Sequence, residues 1–236
     1  MPLVIEVVKD EKEFDDILPV LYAAFGEPYN SLRRWFIPVH TTVEAAINDS
    51  RERNIKSWKQ HSGIHWVKAV DTDSGVVVGA AEWEIREKVD APGSPQKPPN
   101  AYWHTEGSEE KAFAERLLTQ LKGFMKERMA RPHVELEQLV VHPSYRNKGA
   151  GKLLLDWGIQ EADKLGLECC VESVPFAVPF YEKFGFGNAD GLKPDFATPN
   201  PSTEWKEYAA DDLRVFLMWR PAGHNYQRGE DKLPWL

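Results

Sequence analysis

The stretch from Val134 to Leu155 constrains this chain more than any other. It reads as a buried strand, a short basic loop carrying Gly149 and Gly151, and then an apolar helix. Such a loop aims several backbone N–H groups at one point, where the helix N-terminus already favours negative charge. A point of that kind holds a phosphate or pyrophosphate. The strand that follows the helix, Glu168 to Val174, is expected to lie parallel to the first through a right-handed crossover.

Bulk properties narrow the possibilities. At 236 residues the chain suits one domain, or one domain with insertions, and can bury a sizeable core. A net charge of −8 argues against DNA or RNA as the main partner, because binding a phosphate backbone needs a basic face. The two cysteines, Cys169 and Cys170, are adjacent on a strand and point to opposite faces, so no disulfide is expected between them. That usage fits a reducing compartment, and the N-terminal residues lack the features of a signal peptide. No run approaches the length of a membrane span. The expectation is a cytoplasmic protein, with a nuclear share compatible; nothing decides between monomer and homodimer.

Along the chain, Val4 to Val8 reads as a strand. Asp10 is placed to cap a helix from Glu11 to Phe25, with Phe14, Ile17, Leu18, Leu21 and Tyr22 on one stripe. Tyr29 to Pro38 reads as a loop rich in aromatics and arginine. A second helix is expected over Val43–Trp58, capped by Thr41 or Thr42. Ile64–Val70 and Val76–Ile85 flank a turn and predict an antiparallel hairpin. Ala91 to Asn100 is rich in proline and glycine and reads as exposed loop. An amphipathic helix follows over Glu109–Met129. The block from about Val89 to Pro132 resembles an insertion between sheet strands, either packed elaboration or substrate lid. After the central strand and glycine loop come a helix over Lys152–Leu165 ending at Gly166, the Glu168–Val174 strand, and a short helix over Pro175–Phe184. Asp212–Trp219 is β-prone and expected to close the sheet.

Three glycine-loop chemistries compete. A Walker-type loop requires Ser or Thr after Gly-Lys and a glycine five residues before it; here Leu153 and Arg146 stand at those places. A dinucleotide loop requires a further glycine where Leu154 stands. The third pattern, Arg-x-x-Gly-x-Gly, is met by Arg146, Gly149 and Gly151. With Leu139-Val-Val-His-Pro143 before it and Tyr181-Glu-Lys-Phe-Gly-Phe186 after it, this stretch resembles the GNAT superfamily of acetyl-CoA-dependent N-acetyltransferases. The resemblance covers roughly Glu135 to Gly187.

It implies an α/β fold with a mixed, mostly antiparallel central sheet and a splayed parallel strand pair, flanked by helices. The whole chain, 1–236, would be a single such domain with an insertion at about 89–132. It further implies direct transfer of an acetyl group from acetyl-CoA to a primary amine in a ternary complex. A non-catalytic acyl-CoA sensor or scaffold with the same fold stands as the second possibility.

In the family's pattern, Leu139, Val140 and Val141 offer backbone groups to the pantetheine arm, and the N–H of Val140 or Val141 polarises the thioester carbonyl. Arg146, Asn147, Lys148, Gly149, Ala150, Gly151 and Lys152 wrap the pyrophosphate. Ser173, Phe180, Tyr181 and Lys183 border the cofactor. Tyr181 is the candidate general acid, since a phenol is protonated at neutral pH. Glu135 and Glu137 are candidate bases on the strand that ends at the thioester. His142 has a suitable pKa but sits in a turn beside Pro143. Tyr29, Arg33, Arg34, Trp35 and Phe36, with Tyr102, Trp103, His104 and Glu106, are candidates for the acceptor side. The acceptor itself stays open: small amine, drug, peptide N-terminus or protein lysine.

Overall fold

Several helices begin where the sequence supplies a capping side chain. A computed structural model describes residues 2–89 and 97–236. Strand β1 (Leu3–Val7) is followed by a reciprocal cap: Asp10 accepts from the Lys12 N–H, while Glu13 accepts from the N–H groups of Lys9 and Asp10. One 3-10 turn then leads into helix α1 (Phe14–Gly26), whose expected apolar stripe is buried. The Tyr29–Pro38 segment is more than a loop. It winds into a short helix, α2 (Arg33–Phe36), because Trp35 is anchored in an apolar core and only 1% exposed. Thr42 caps α3 (Val43–Gln60), its hydroxyl accepting from the Ala45 N–H.

The hairpin forms as expected from β2 (Ile64–Asp71) and β3 (Val77–Arg86). Most of the Ala91–Asn100 stretch lies outside the described residues. Ser108 caps α4 (Glu109–Arg128), which packs Phe113, Leu117 and Leu121 against Trp35. Strand β4 (His133–Val141) leads through the glycine loop to α5 (Ala150–Leu165), which starts two residues earlier than its apolar pattern suggests and stops at left-handed Gly166. Then come β5 (Glu168–Ser173), α6 (Val178–Lys183), β6 (Gly187–Leu192), α7 (Thr203–Ala209) and β7 (Val215–Arg220).

The seven strands form one sheet in the order β1-β2-β3-β4-β5-β7-β6. Among the described residues only β4 and β5 run parallel; every other neighbouring pair is antiparallel. Strand β7 does not close the sheet as its sequence suggested. It slots between β5 and β6, and β6 becomes the edge. One sheet face carries α1 and α3, the other α5. The two cysteines are free and split between faces as expected, Cys169 toward α5 and Cys170 toward α4.

Two details of β4 position everything that follows. Its pairing with β3 jumps from Glu82↔Gln138 to Trp83↔Leu136, so Glu137 is an extra residue, a β-bulge. Its pairing with β5 ends at Leu136↔Val171. Beyond that pair the two parallel strands are no longer bonded to each other.

Helix α5 lies close against the sheet because Gly158 has no side chain. A Cβ there would overlap the buried ring of Trp83, whose Nε1 donates to the Leu154 carbonyl at 3.3 Å. Gly158→Ala should therefore cost about 1–3 kcal/mol, seen as a lower midpoint of thermal unfolding. An unchanged midpoint would mean that the ring and the helix separate freely.

Under the sheet's centre, Glu82 is 6% exposed and accepts from Gln138 Nε2 at 2.7 Å. Burial pushes its carboxyl up to about 7, against the pull of that hydrogen bond. In the unfolded chain the carboxyl returns to about 4.5. A group raised on folding stabilises the fold fully below its unfolded value and loses that contribution as pH climbs through its folded value. Glu82→Gln should thus raise the unfolding midpoint at pH 8, by an effect on the order of 3 kcal/mol, and leave it nearly unchanged at pH 4. Equal changes at both pH values would disprove the burial of a titrating carboxyl here.

Candidate active site

Where β4 and β5 part, the molecule holds a cleft of about 2070 Å³. Of the residues proposed for the cofactor, Leu139, Val140, Val141, Arg146, Asn147, Gly149, Ala150, Gly151, Lys152, Ser173, Phe180, Tyr181 and Lys183 all line it. So do Glu135 and Glu137. Lys148 does not; its Nζ donates to the Ser144 carbonyl at 3.0 Å and lies over the Tyr145 ring.

The loop's conformation explains its composition. Gly149 takes φ +94°, a left-handed value costly for any residue with a Cβ, although a Cβ there would meet no protein atom within 4 Å. Asn147 takes φ 61°, in the same region. Gly149 caps α5 without a side chain, so the first N–H groups of that helix stay open toward the cleft. Arg146 braces the loop on α1 by donating to the Ala24 carbonyl at 3.1 Å, and Lys152 pairs with Asp156.

The strand backbone can also be read. The His142 N–H donates to Val78 O at 2.9 Å. By the alternation of an antiparallel ladder, Val140 points its N–H toward β3, opposite Ala80, while Leu139 and Val141 aim theirs into the gap. Of Val140 and Val141, the second therefore has a donor free to face a ligand there.

The cleft floor is acidic. Arg86 Nε donates to Glu135 at 2.8 Å, and its Nη2 donates to Glu137 at 3.1 Å and pairs with Glu84 at 2.7 Å. Burial opposes the charge on Arg86, but Glu135, Glu137 and Glu84 outweigh it and hold the guanidinium charged. Burial likewise opposes ionisation of Glu135, yet His133 and Arg86 hold its carboxyl below the usual range. His133 Nδ1 faces the Arg131 carbonyl at 2.6 Å, while its Nε2 stands 3.6 Å from Glu135. Glu137 lies on the bulge, with 36% of its side chain exposed in the cleft. Desolvation by the surrounding protein, then the charges of Glu135 and Glu82, push its carboxyl upward against the pull of Arg86.

A further acidic residue, unforeseen from the sequence, stands on the opposite lip. Glu172 lines the cleft with Oε1 unpartnered, and burial followed by the charge of Glu135 pushes its carboxyl up to about 8. The available signal was its place in a short strand that is otherwise buried. Arg86 was missed too, because nothing in its local sequence shows that three carboxylates converge on it.

Tyr181 is 7% exposed and packs on Phe180 and Phe186. Burial pushes its phenol up, so it is protonated at neutral pH, and among the described residues its hydroxyl has no hydrogen-bond partner. Ser173 Oγ donates to the Val174 carbonyl at 3.0 Å. Burial lifts the Cys169 thiol to about 12 and the Cys170 thiol well above its ordinary value, so neither is a ready nucleophile. His142 has the expected turn role: its Nδ1 accepts from the Ser144 N–H.

The acceptor-side candidates divide. Arg33, Phe36 and Trp103 line the cleft. Arg34 pairs with Glu110, Glu106 pairs with Lys111, and Trp35 and His104 are buried. Tyr29 and Tyr102 are exposed.

Comparison with known proteins agrees with this geometry. The profile of the Acetyltransferase (GNAT) family matches residues 29–186. No curated protein matches the chain. Among solved structures, arylalkylamine N-acetyltransferase 2 from Aedes aegypti superposes with a TM-score of 0.64 at 15% identity, over 94% of this chain and 99% of that one. The Corynebacterium glutamicum histone acetyltransferase HPA2 and related acetyltransferase gives 0.59 at 19% identity, over 96% and 100%. The PaiA N-acetyltransferase from Thermoplasma acidophilum, solved in complex with coenzyme A, gives 0.50 at 16% identity, over 96% and 100%. At such identities these structures speak for the fold alone. The family profile spans well over half of the sequence and includes the strand, loop and helix at the cleft: the chain belongs to the GNAT acetyltransferase family.

Proposed function

We propose that this protein is an N-acetyltransferase that moves the acetyl group of acetyl-CoA directly to a primary amine. The carrying observation is that the open N-terminus of α5, the unpaired edge of β4, the Tyr181 hydroxyl and a group of carboxyls all meet in one cleft. We read residues 1–236 as one such domain, with the segment around 89–132 forming part of its acceptor side, in a reducing compartment such as the cytoplasm. Among the described residues no helix is long and apolar enough to cross a membrane.

The residues present fit coenzyme A. The N–H groups of Gly149 to Lys152, with Arg146, would hold the pyrophosphate. The free edge of β4 would take the pantetheine arm as an added strand, with Val141 N–H beside the thioester carbonyl. Bound there, acetyl-CoA supplies the activated acyl group. Tyr181 would donate a hydrogen bond to the departing sulfur. Its raised phenol favours that over outright proton release. Of the two β4 glutamates, Glu135 is locked between Arg86 and His133, which leaves Glu137 as the more available base. The acidic floor suits a positively charged acceptor, which is the physical reason for preferring an amine over a hydroxyl.

Incubation with acetyl-CoA and a panel of amines, with free thiol as readout, should show turnover. Cofactor binding without transfer to any amine would favour the sensor or scaffold. Tyr181→Phe should lower kcat about 100-fold and change acetyl-CoA affinity little; equal kcat would remove the hydroxyl from the mechanism. Gly149→Val, forced into a left-handed conformation, should weaken coenzyme A binding on the order of tenfold by calorimetry. Unchanged affinity would rule out the loop as the pyrophosphate site.

A further inference from the structure

Past the last bonded pair, Leu136 and Val171, the next residue on each strand is a glutamate: Glu137 on one lip of the gap and Glu172 on the other. Their circumstances differ. Glu135 and Glu137 both already hold the Arg86 guanidinium. Glu172 holds no cation and no hydrogen-bond donor among the described residues, and its Oε1 is hidden from solvent. Strand alternation puts Glu172 on the same side of β5 as Cys170, which is paired with Glu135. The unengaged carboxyl therefore looks into the space above the Glu135–Arg86–Glu137 group.

We propose that Glu172 is a catalytic residue, the carboxylate that seats the acceptor's ammonium in the gap and takes its proton. This rests on the acetyltransferase reading above. A carboxylate bonded to a guanidinium gives up that ion pair when it is protonated, which makes it a reluctant base. A buried carboxyl without a partner is costly, and an ammonium entering the gap is the partner it lacks.

The step balances. Glu172 removes one proton from the ammonium and frees the nitrogen lone pair. The C–N bond forms as the C–S bond breaks, and sulfur leaves with the bonding pair. The nitrogen's second surplus proton passes to the departing sulfur, whose charge the Tyr181 hydrogen bond steadies, so Tyr181 keeps its own proton. The products are an acetamide, a thiol and one proton on Glu172, which returns to solvent.

The charged groups around Glu172 come from several elements. Strand β4 contributes His133, Glu135 and Glu137; β3 contributes Glu84 and Arg86 at the cleft and Glu82 beneath it; α4 contributes Lys122 and Lys126. The nearest residues of β7 are uncharged: Phe216, Leu217 and Met218.

The test follows thiol release from acetyl-CoA with 2-phenylethylamine, 1,4-diaminobutane and a lysine-containing peptide across pH, for the wild type, Glu172→Gln and Glu172→Asp. Wild-type kcat/KM should rise as pH climbs through about 8. In Glu172→Gln that limb should vanish and kcat/KM should fall about 100-fold, with KM for acetyl-CoA unchanged and partial recovery in Glu172→Asp. Wild-type turnover with the same pH profile in Glu172→Gln overturns this inference and leaves the acetyltransferase reading standing. No wild-type transfer to any amine overturns that reading and the catalytic role with it. Calorimetry of 1,4-diaminobutane binding at pH 7, in two buffers of different ionisation enthalpy, examines the ammonium seat without turnover. About one proton should be displaced from the wild type and none from Glu172→Gln. Equal proton counts, or no heat from the wild type, overturn the seat.

Discussion

The single surplus residue that β4 carries at Glu137 is the constraint on which the rest of the structure depends. A bulge bends the strand and increases its twist. Here it falls immediately after the last pair that β4 shares with β5, so the two strands diverge from that point. The divergence leaves backbone donors and acceptors unpaired at the centre of a sheet, where they need partners from elsewhere. It also sets the glycine loop and the start of α5 at the end of the same strand. A ligand with an amide-bearing arm and a phosphate end meets both needs from one direction.

The same bend organises charge. Before it, His133 and Glu135 face the α1–α3–α4 side of the sheet; after it, Gln138 and Val140 do, and Glu137 sits at the change of phase. One guanidinium, Arg86, answers three carboxylates. Among the described residues Glu82 and Glu172 have no cation beside them, and burial keeps protons on them up to about pH 7 and about pH 8. The site is therefore a reservoir of negative charge that is only partly expressed until something positive enters it.

Much of this was legible in the residues, and the illegible part has physical causes. Caps at Asp10 and Thr42, the stripe on α1, and the glycine loop are local signals, and they are where the sequence places them. Helix α2 was hidden because its one turn is imposed by distant aromatics packing on Trp35. Strand β6 reads Gly-Asn-Ala-Asp-Gly-Leu, with almost no β propensity, and is a strand only because β7 pairs with it. The residues expected to hold the cofactor, Lys148 excepted, converge on one cleft. Glu172 was passed over because strand alternation tells which face a residue takes but not where a neighbouring strand lets go.

Away from the glycine loop, the cleft rests on a stack of aromatic rings. Phe196 stacks on Phe113 at 4.0 Å, and Phe113 stacks on Trp35 at 4.4 Å, with Tyr208 set edge-on to Trp35 at 5.1 Å. Trp103 donates to the Trp35 carbonyl, and Arg33 and Phe36 flank Trp35 in α2. A row of rings thus joins residues far along the chain to Arg33, Phe36 and Trp103, which line the cleft. Neither Phe196 nor Tyr208 is among the lining residues of the cleft, yet replacing either ring shifts the mount on which Arg33, Phe36 and Trp103 are carried. That side of the cleft can thus change shape while every residue that lines it stays the same.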